Sequence, residues 1–228
     1  MMKKTTTILC LGIALCMLGC SDDDDQVTTT STVPFSLTAS LSPRSSDAED
    51  TGILQGNWNA NSQLAVMKTG SSGVPKTILT RETDSSDTFT GDLSTLVKNE
   101  NEIAVFYPAA AITATSSDTL TQTLNLSGQD GTLAGITNYD YLWAQCKAGM
   151  NETTGSSACE MTSLVTIGKF QFTANGDSPL NNITRITVTA TAGNLYSSAV
   201  MKLKDGEFSS TQTGNITIKN KTGISGTT

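Results

Sequence analysis

The apolar residues of this chain recur at every second position over short stretches, and this spacing constrains the fold more than any other feature. In residues 35–41, small hydroxyl residues alternate with Phe35, Leu37, Ala39 and Leu41. A period of two is typical of a strand with one buried face. Beyond residue 20, no pattern with a helical period is long enough to predict a helical domain. Short strands separated by frequent turn residues predict an all-β fold of the sandwich type.

Two continuous apolar runs predict more deeply buried strands. They cover residues 64–67 and 103–107, and Pro108 ends the second run. Weaker patterns predict further strands in residues 76–82, 87–89, 164–174, 183–190, 200–203 and 214–220. About two hundred residues are enough for one large β domain or two small ones.

The first 19 residues have the order of a signal peptide. Lys3 and Lys4 precede an apolar run that ends in small residues before Cys20. The run has about half of the ~20 residues that a transmembrane helix needs, which makes a membrane span the weaker alternative. The segment resembles a bacterial lipobox, in which the cysteine is acylated and becomes the new N-terminus. We expect residues 1–19 to be removed and Cys20 to carry the lipid; the other alternative is a plain signal peptide.

An acidic run follows the cysteine directly, and it consists of Ser21, Asp22, Asp23, Asp24 and Asp25. Like charges in sequence repel one another and keep such a segment extended and solvated. The simplest interpretation is a hydrophilic spacer within a tether that covers residues 20–32. The run also resembles the export signal that carries lipoproteins of the Bacteroides group to the cell surface. It has neither the glycine turn nor the spaced ligands of an EF-hand calcium loop.

The cysteines allow one disulfide after processing. Cys10 and Cys16 lie in the predicted signal peptide and Cys20 is the predicted lipid site, which leaves Cys146 and Cys159. An even pair in an oxidising compartment is compatible with a disulfide. Closing a loop of this length stabilises a fold by about 3 kcal/mol in the chain-entropy model.

The composition offers little catalytic chemistry. The chain contains no histidine, which removes the commonest general base and transition-metal ligand. The sequence has no Gly-x-Ser-x-Gly or Ser-x-x-Lys motif and no phosphate-binding glycine loop. Loss of the first 19 residues would move the formal charge from −7 to −9, and such an acidic surface argues against nucleic acid as a partner. We expect no enzymatic activity, no cofactor and no metal.

Three aromatic residues, Tyr139, Tyr141 and Trp143, lie at alternate positions. Such a row can stack on sugar rings, or it can form one face of a core. We favour the core. Exposure of Trp143 or Trp58 is what a glycan-binding site would require.

The order of several motifs resembles the fimbrillin family of the Bacteroidales, the pilins exported as lipoproteins. In chain order, the matching pieces are the lipobox at Cys20, residues 35–41 followed by Arg44, Trp58 before an apolar strand, and residues 105–108, 126–133, 139–144 and 182–188. The resemblance implies two transthyretin-like β-sandwich domains. We place them at residues 33–160 and 161–228, the second being short or truncated.

The resemblance also implies a mode of assembly. In the family, a trypsin-like protease cuts after an arginine in the first loop, the first strand is lost, and a strand of the next subunit enters the vacated groove. Arg44 is the matching cleavage site, residues 35–41 are the strand to be lost, and residues 214–220 are a candidate donor. The implied partners are other pilin subunits, the outer membrane through the lipid, and a host or bacterial surface receptor. The implied location is the cell surface, in a fimbria.

Two departures from the family and one alternative remain. Asn61-Ser62 stands where the family commonly has Gly-Asp, and residues 222–228 form a polar tail without apolar alternation. The role as shaft, anchor or tip subunit is therefore open. The alternative function is a surface glycan-binding lipoprotein of a nutrient-uptake system.

In addition, Thr119 lies in an Asp-Thr-Leu triplet that resembles the O-glycosylation sequon of this bacterial group.

Overall fold

The computed structural model describes residues 31–41, 58–70, 74–113, 121–136, 138–166, 168, 170, 172, 180–192 and 195–226. Strands dominate these residues, in the order β1 (Thr32–Leu41), β2 (Gln63–Lys68), β3 (Thr77–Arg81), β4 (Thr88–Ser94), β5 (Glu102–Tyr107), β6 (Thr121–Asn125), β7 (Leu142–Lys147), β8 (Gly149–Met150), β9 (Gly155–Ser163), β10 (Leu180–Val188), β11 (Tyr196–Lys202), β12 (Phe208–Thr213) and β13 (Ile216–Gly226). Within the described residues, helical structure is limited to single turns at Ala109–Ala111 and Leu133–Ile136. The all-β prediction is confirmed. No helix in the described ranges has the length and hydropathy of a membrane span.

The largest sheet closes on itself. Its strands follow the order β1-β4-β3-β2-β5-β7-β9, with β8 beside β9, and β9 pairs back to β1. Neighbouring strands in it are antiparallel except for β1 and β9, which are parallel. Closure removes the unpaired edges that an open sheet would expose. Because residues 33–160 contribute one closed, barrel-like sheet, a transthyretin-like sandwich of two sheets is not confirmed.

The interior of this sheet holds the first of two cores. Its buried members include Phe35 and Leu37 of β1, Phe89 of β4 and Ile103 of β5. Trp58 also belongs to it: its indole meets the Phe89 ring edge-on, with ring centroids 5.0 Å apart. Fully burying a side chain of this size stabilises a fold by about 1.5–3 kcal/mol. The alternation predicted for residues 35–41 is confirmed, because their apolar side chains point into this core.

A second core lies on the outer face of β2 and β5. It consists of Ala65, Met67, Ala104, Phe106, Ala109, Ile112, Leu124, Tyr141, Met201 and Leu203, with Trp143, Leu164 and Val165 packed against it. Strands β2 and β5 are therefore covered on both faces. This explains why residues 64–67 and 103–107 are continuously apolar and do not alternate.

The remaining strands form two small sheets. Strand β11 pairs with β12 on one side and with β6 on the other, and β10 pairs with β13. The pairing of β6 with β11 crosses the domain boundary expected at residue 160, and that boundary stays a prediction. The described residues between 164 and 172 form no strand, although the sequence predicts one there, and Phe170 and Phe172 are exposed. Alternation predicts which face of a strand would be buried. It does not show whether a neighbouring strand is available for pairing.

Candidate functional site

The candidate site is the seam where β1 closes the barrel. Strand β1 is paired along both edges, antiparallel to β4 from Thr32 to Thr38 and parallel to β9 from Phe35 to Leu41. Its inward side chains, Val33, Phe35, Leu37 and Ala39, have exposed fractions of 7%, 2%, 0% and 0%. If β1 were absent, β4 and β9 would each present a row of unpaired backbone groups, with apolar space between them.

Two glycines flank the aromatic side chain of β1. Phe35 lies opposite Gly91 on β4 and opposite Gly155 on β9. A Cβ atom at Gly155 would press against Met150 Sδ and would come 2.7 Å from Cδ2 of Phe35, while one at Gly91 would come 2.9 Å from Cδ2 of Leu79 on β3. The Phe35 ring therefore lies in a space on β9 that only glycine leaves open, whereas the space at Gly91 is limited by β3. We call the space beside Gly155 that holds the Phe35 ring the glycine socket.

Hydrogen bonds hold both ends of β1. At its C-terminal end, Trp58 Nε1 donates to the Ala39 carbonyl oxygen at 2.6 Å, and the Ala39 amide donates to the Asp87 carbonyl oxygen at 2.9 Å. Just before its N-terminal end, the hydroxyls of Ser31 and Thr95 are 2.7 Å apart. Arg81 supports the Trp58 segment, because its Nη1 donates to the Trp58 carbonyl oxygen at 2.7 Å. The indole of Trp58 thus links the core to the backbone of β1.

The aromatic row at residues 139–143 belongs largely to the protein interior. Tyr141 is buried, and its hydroxyl donates to the Asn125 carbonyl oxygen at 3.1 Å. Trp143 is half-buried against the second core, and its indole lies under Gly206, where a Cβ atom would come 2.6 Å from Trp143 Cδ2. Tyr139 is half-buried as well. Trp58 is only 3% exposed, which does not meet the glycan-binding expectation.

Cys146 and Cys159 carry free thiols and lie together on β7 and β9. The thiol of Cys159 donates to Met161 Sδ at 3.8 Å. The neighbouring Cys159 thiol stabilises the Cys146 thiolate and lowers the pKa of Cys146 to about 7, while the same neighbour and burial raise the pKa of Cys159. The first proton therefore leaves the pair easily and the second with difficulty. The disulfide stays a prediction.

The other predicted site residues lie outside the described residues. They are Cys20, Ser21, Asp22, Asp23, Asp24, Asp25, Arg44 and Thr119. Within the described residues, no group of three or more histidine, cysteine, aspartate or glutamate side chains is arranged to hold a metal ion.

Comparison with known proteins gives one distant structural match. No protein-family model matches the chain. No curated protein matches it. The chain is similar to a crystal structure of a "putative cell adhesion protein" from Bacteroides ovatus, at 13% identity and a TM-score of 0.45, over 86% of this chain and 76% of that one. A score of this size carries no argument about fold or function.

Sequence reasoning missed the glycine socket and the anchoring role of Trp58. One signal was available, because Gly91 stands inside the strand pattern that begins at Thr88, and an isolated strand glycine often marks a close approach. The side chain that lies against Gly91 is Leu79 of β3, and the approach of Phe35 to Gly155 could not be deduced, since these two residues are distant in sequence. The hydrogen bond to the Ala39 carbonyl could not be deduced either, because the residues before its donor, Trp58, have no strand pattern that would predict where the indole lies.

Proposed function

We propose that the chain is a fimbrillin-like surface lipoprotein, a structural subunit of a fimbria that is assembled by strand exchange and serves adhesion. The observation that supports this proposal best is the position of β1. It is the strand that closes the barrel, and Arg44 follows its last residue, Leu41, by three positions. One cut after Arg44 would therefore separate β1 from the rest of the chain.

The physics of the vacated seam favours a replacement strand. Loss of β1 would leave the edges of β4 and β9 unpaired and would expose the apolar space now filled by Phe35 and Leu37. A strand from another subunit would satisfy the backbone groups and place alternate side chains in the same space. The glycine socket would favour a donor with an aromatic residue at the register of Phe35.

The donor strand that the sequence predicts within this chain would first have to separate from the strand with which it is paired. Residues 214–220 overlap β13, which pairs with β10. They also carry isoleucine at 216 and 218 and no aromatic residue. A better match to the socket is a donor from a different subunit, so the polymer is expected to contain more than one kind of subunit.

The remaining parts of the proposal concern location. Before the cut, acylation of Cys20 would anchor the precursor in the outer membrane, and Ser21 to Asp25 would direct it to the outer face. The cut after Arg44 would then release the lipidated segment together with β1. In the assembled fimbria, its partners are other pilin subunits and a receptor on a host or bacterial surface.

The proposal is tested in the producing bacterium. Wild-type cells are expected to display the chain to added protease and to contain detergent-resistant polymers. Arg44→Gln removes the basic residue at which a trypsin-like protease would cut, so the variant is expected to reach the surface and not to polymerise. Cys20→Ser is expected to lose membrane attachment of the uncut precursor. A chain that intact cells protect from protease, or an Arg44→Gln variant that polymerises like wild type, would refute the proposal.

A further inference from the structure

The middle of β9 has little backbone support on the side of β7. Among the described residues, the β7–β9 ladder joins Leu142 to Ser163 and Trp143 to Thr162, and pairing resumes only where β8 meets the start of β9. Between these ends, β9 is hydrogen-bonded to β1 on its other edge. The closure of the barrel at β9 therefore depends mainly on β1.

The two cysteines lie within this gap at corresponding positions of β7 and β9. Both ends of the hairpin have the same register, and continuing it inward places Cys146 opposite Cys159. Both side chains pack against the interior core. A disulfide needs Cα atoms about 4.4–6.8 Å apart. The Ser157 hydroxyl of β9 donates to the Lys147 carbonyl oxygen of β7 at 2.7 Å and lies 3.2 Å from Cys146 Sγ, which keeps the two strands close together beside the cysteines.

We propose that Cys146 and Cys159 form a cross-strand disulfide that clasps β9 to β7 and holds this side of the barrel independently of β1. The bond joins the strands where their backbone ladder is interrupted. The proposal does not depend on the proposed function, because it concerns only the stability of β9.

Bond formation needs a thiol oxidant, for which oxidised glutathione is a defined example. The thiolate of Cys146 attacks one sulfur of the oxidant, forms a mixed disulfide and releases one glutathione thiolate. Cys159 then attacks the sulfur of Cys146 and releases the second, and the protein protons pass to the glutathione thiolates. The two protein thiols are oxidised to one disulfide, while one glutathione disulfide is reduced to two thiols. The lowered pKa of Cys146 and the nearby Ser157 hydroxyl, 3.2 Å from its sulfur, suit Cys146 to the first step.

Peptide mapping tests the bond directly. The full chain is equilibrated with reduced and oxidised glutathione, its remaining thiols are blocked, and it is digested with trypsin without reduction. Cleavage after Lys98, Lys147 and Lys169 places the two cysteines in separate peptides, residues 99–147 and 148–169. We expect these peptides joined, with the mass of both minus two hydrogen atoms. Blocked thiols at Cys146 and Cys159 would overturn the proposal.

Stability and hydrogen exchange test the clasp. Reduction of the wild-type chain is expected to lower Tm by roughly 5–10 °C and to speed amide exchange in residues 157–161. A Cys146→Ser/Cys159→Ser chain should match the reduced protein and not respond to reductant. Ser157→Ala, which keeps both thiols, should still form the bond. A disulfide that forms without changing Tm or exchange in β9 would also overturn the proposal.

Discussion

Trp58 and Trp143 differ in what their indole N–H groups contact. Trp58 Nε1 donates to the Ala39 carbonyl oxygen. The indole nitrogen of Trp143 is buried and has no hydrogen-bond partner among the described residues. Both indole rings pack against a core, but only the ring of Trp58 also donates a hydrogen bond. Variants of the two residues therefore allow the effect of the ring to be compared with the effect of the N–H donor.

Trp58→Phe is expected to destabilise the protein by about 1–3 kcal/mol, because it leaves the Ala39 carbonyl without its buried donor. Trp143→Phe is the comparison for an indole N–H without a partner, and its loss should be smaller, both because that N–H group is unpaired and because its ring is only half-buried. Urea unfolding measures both. Equal losses would show that ring size and not the hydrogen bond determines the effect.

Tyr141 makes stability depend on pH in the alkaline range. Burial raises the pKa of its hydroxyl above the usual 10.0, so the folded chain retains this proton at pH values where the unfolded chain releases it. Stability from this source is complete below pH 10 and falls as pH rises beyond it. In Tyr141→Phe the fall in unfolding free energy between pH 9 and pH 11 should be smaller than in wild type. An unchanged pH profile would contradict this assignment.

At the scale of elements, β1 is the strand whose sequence and structure agree most closely. Its alternation predicts which face is buried, and every inward apolar residue from Phe35 to Ala39 is buried. Its two neighbours could not be predicted, because strand pairing depends on residues far apart in the sequence. The parallel pairing with β9 in particular joins residues near 35 to residues near 155.

Phe35→Ala should destabilise the protein by about 3–5 kcal/mol, the usual cost of removing a buried aromatic ring. Thr38→Ala, on the exposed face of the same strand, should cost less than about 1 kcal/mol. Chemical denaturation of both variants checks the orientation of β1. Similar losses in the two would mean that β1 does not have this buried face.

Gly155→Ala tests the glycine socket. The added methyl group would press against both Met150 Sδ and Phe35 Cδ2, and overpacking of this kind costs about 1–3 kcal/mol. In a Phe35→Leu background the same change should cost less, because the contact with the ring edge is gone and only the contact with Met150 remains. Unfolding free energies of the wild type, both single variants and the double variant form a cycle. A coupling energy of zero would show that the two residues do not share this space.

At the scale of the whole molecule, composition and alternation were sufficient to predict an all-β chain. They could not predict that the main sheet closes on itself, because closure depends on the register of β1 with both β4 and β9. The division into two domains at residue 160 came from the family resemblance; β6 pairs with β11 across it, and the division stays a prediction. The sequence of a short polar strand such as Thr121–Asn125 is compatible with several partner strands. Its pairing with β11 is determined by the apolar residues that both strands contribute to the second core.

The measurement that tests the central claim most directly is binding of a labelled β1 peptide, residues 32–41, to the chain before and after cleavage by an arginine-specific protease. Fluorescence anisotropy follows binding, and a peptide with Phe35→Asp is the control. The account predicts that the cleaved chain binds the β1 peptide, while uncleaved chain and Arg44→Lys bind little and the control peptide does not bind. Equal binding to cleaved and uncleaved chain, or none to either, would contradict an exchangeable β1.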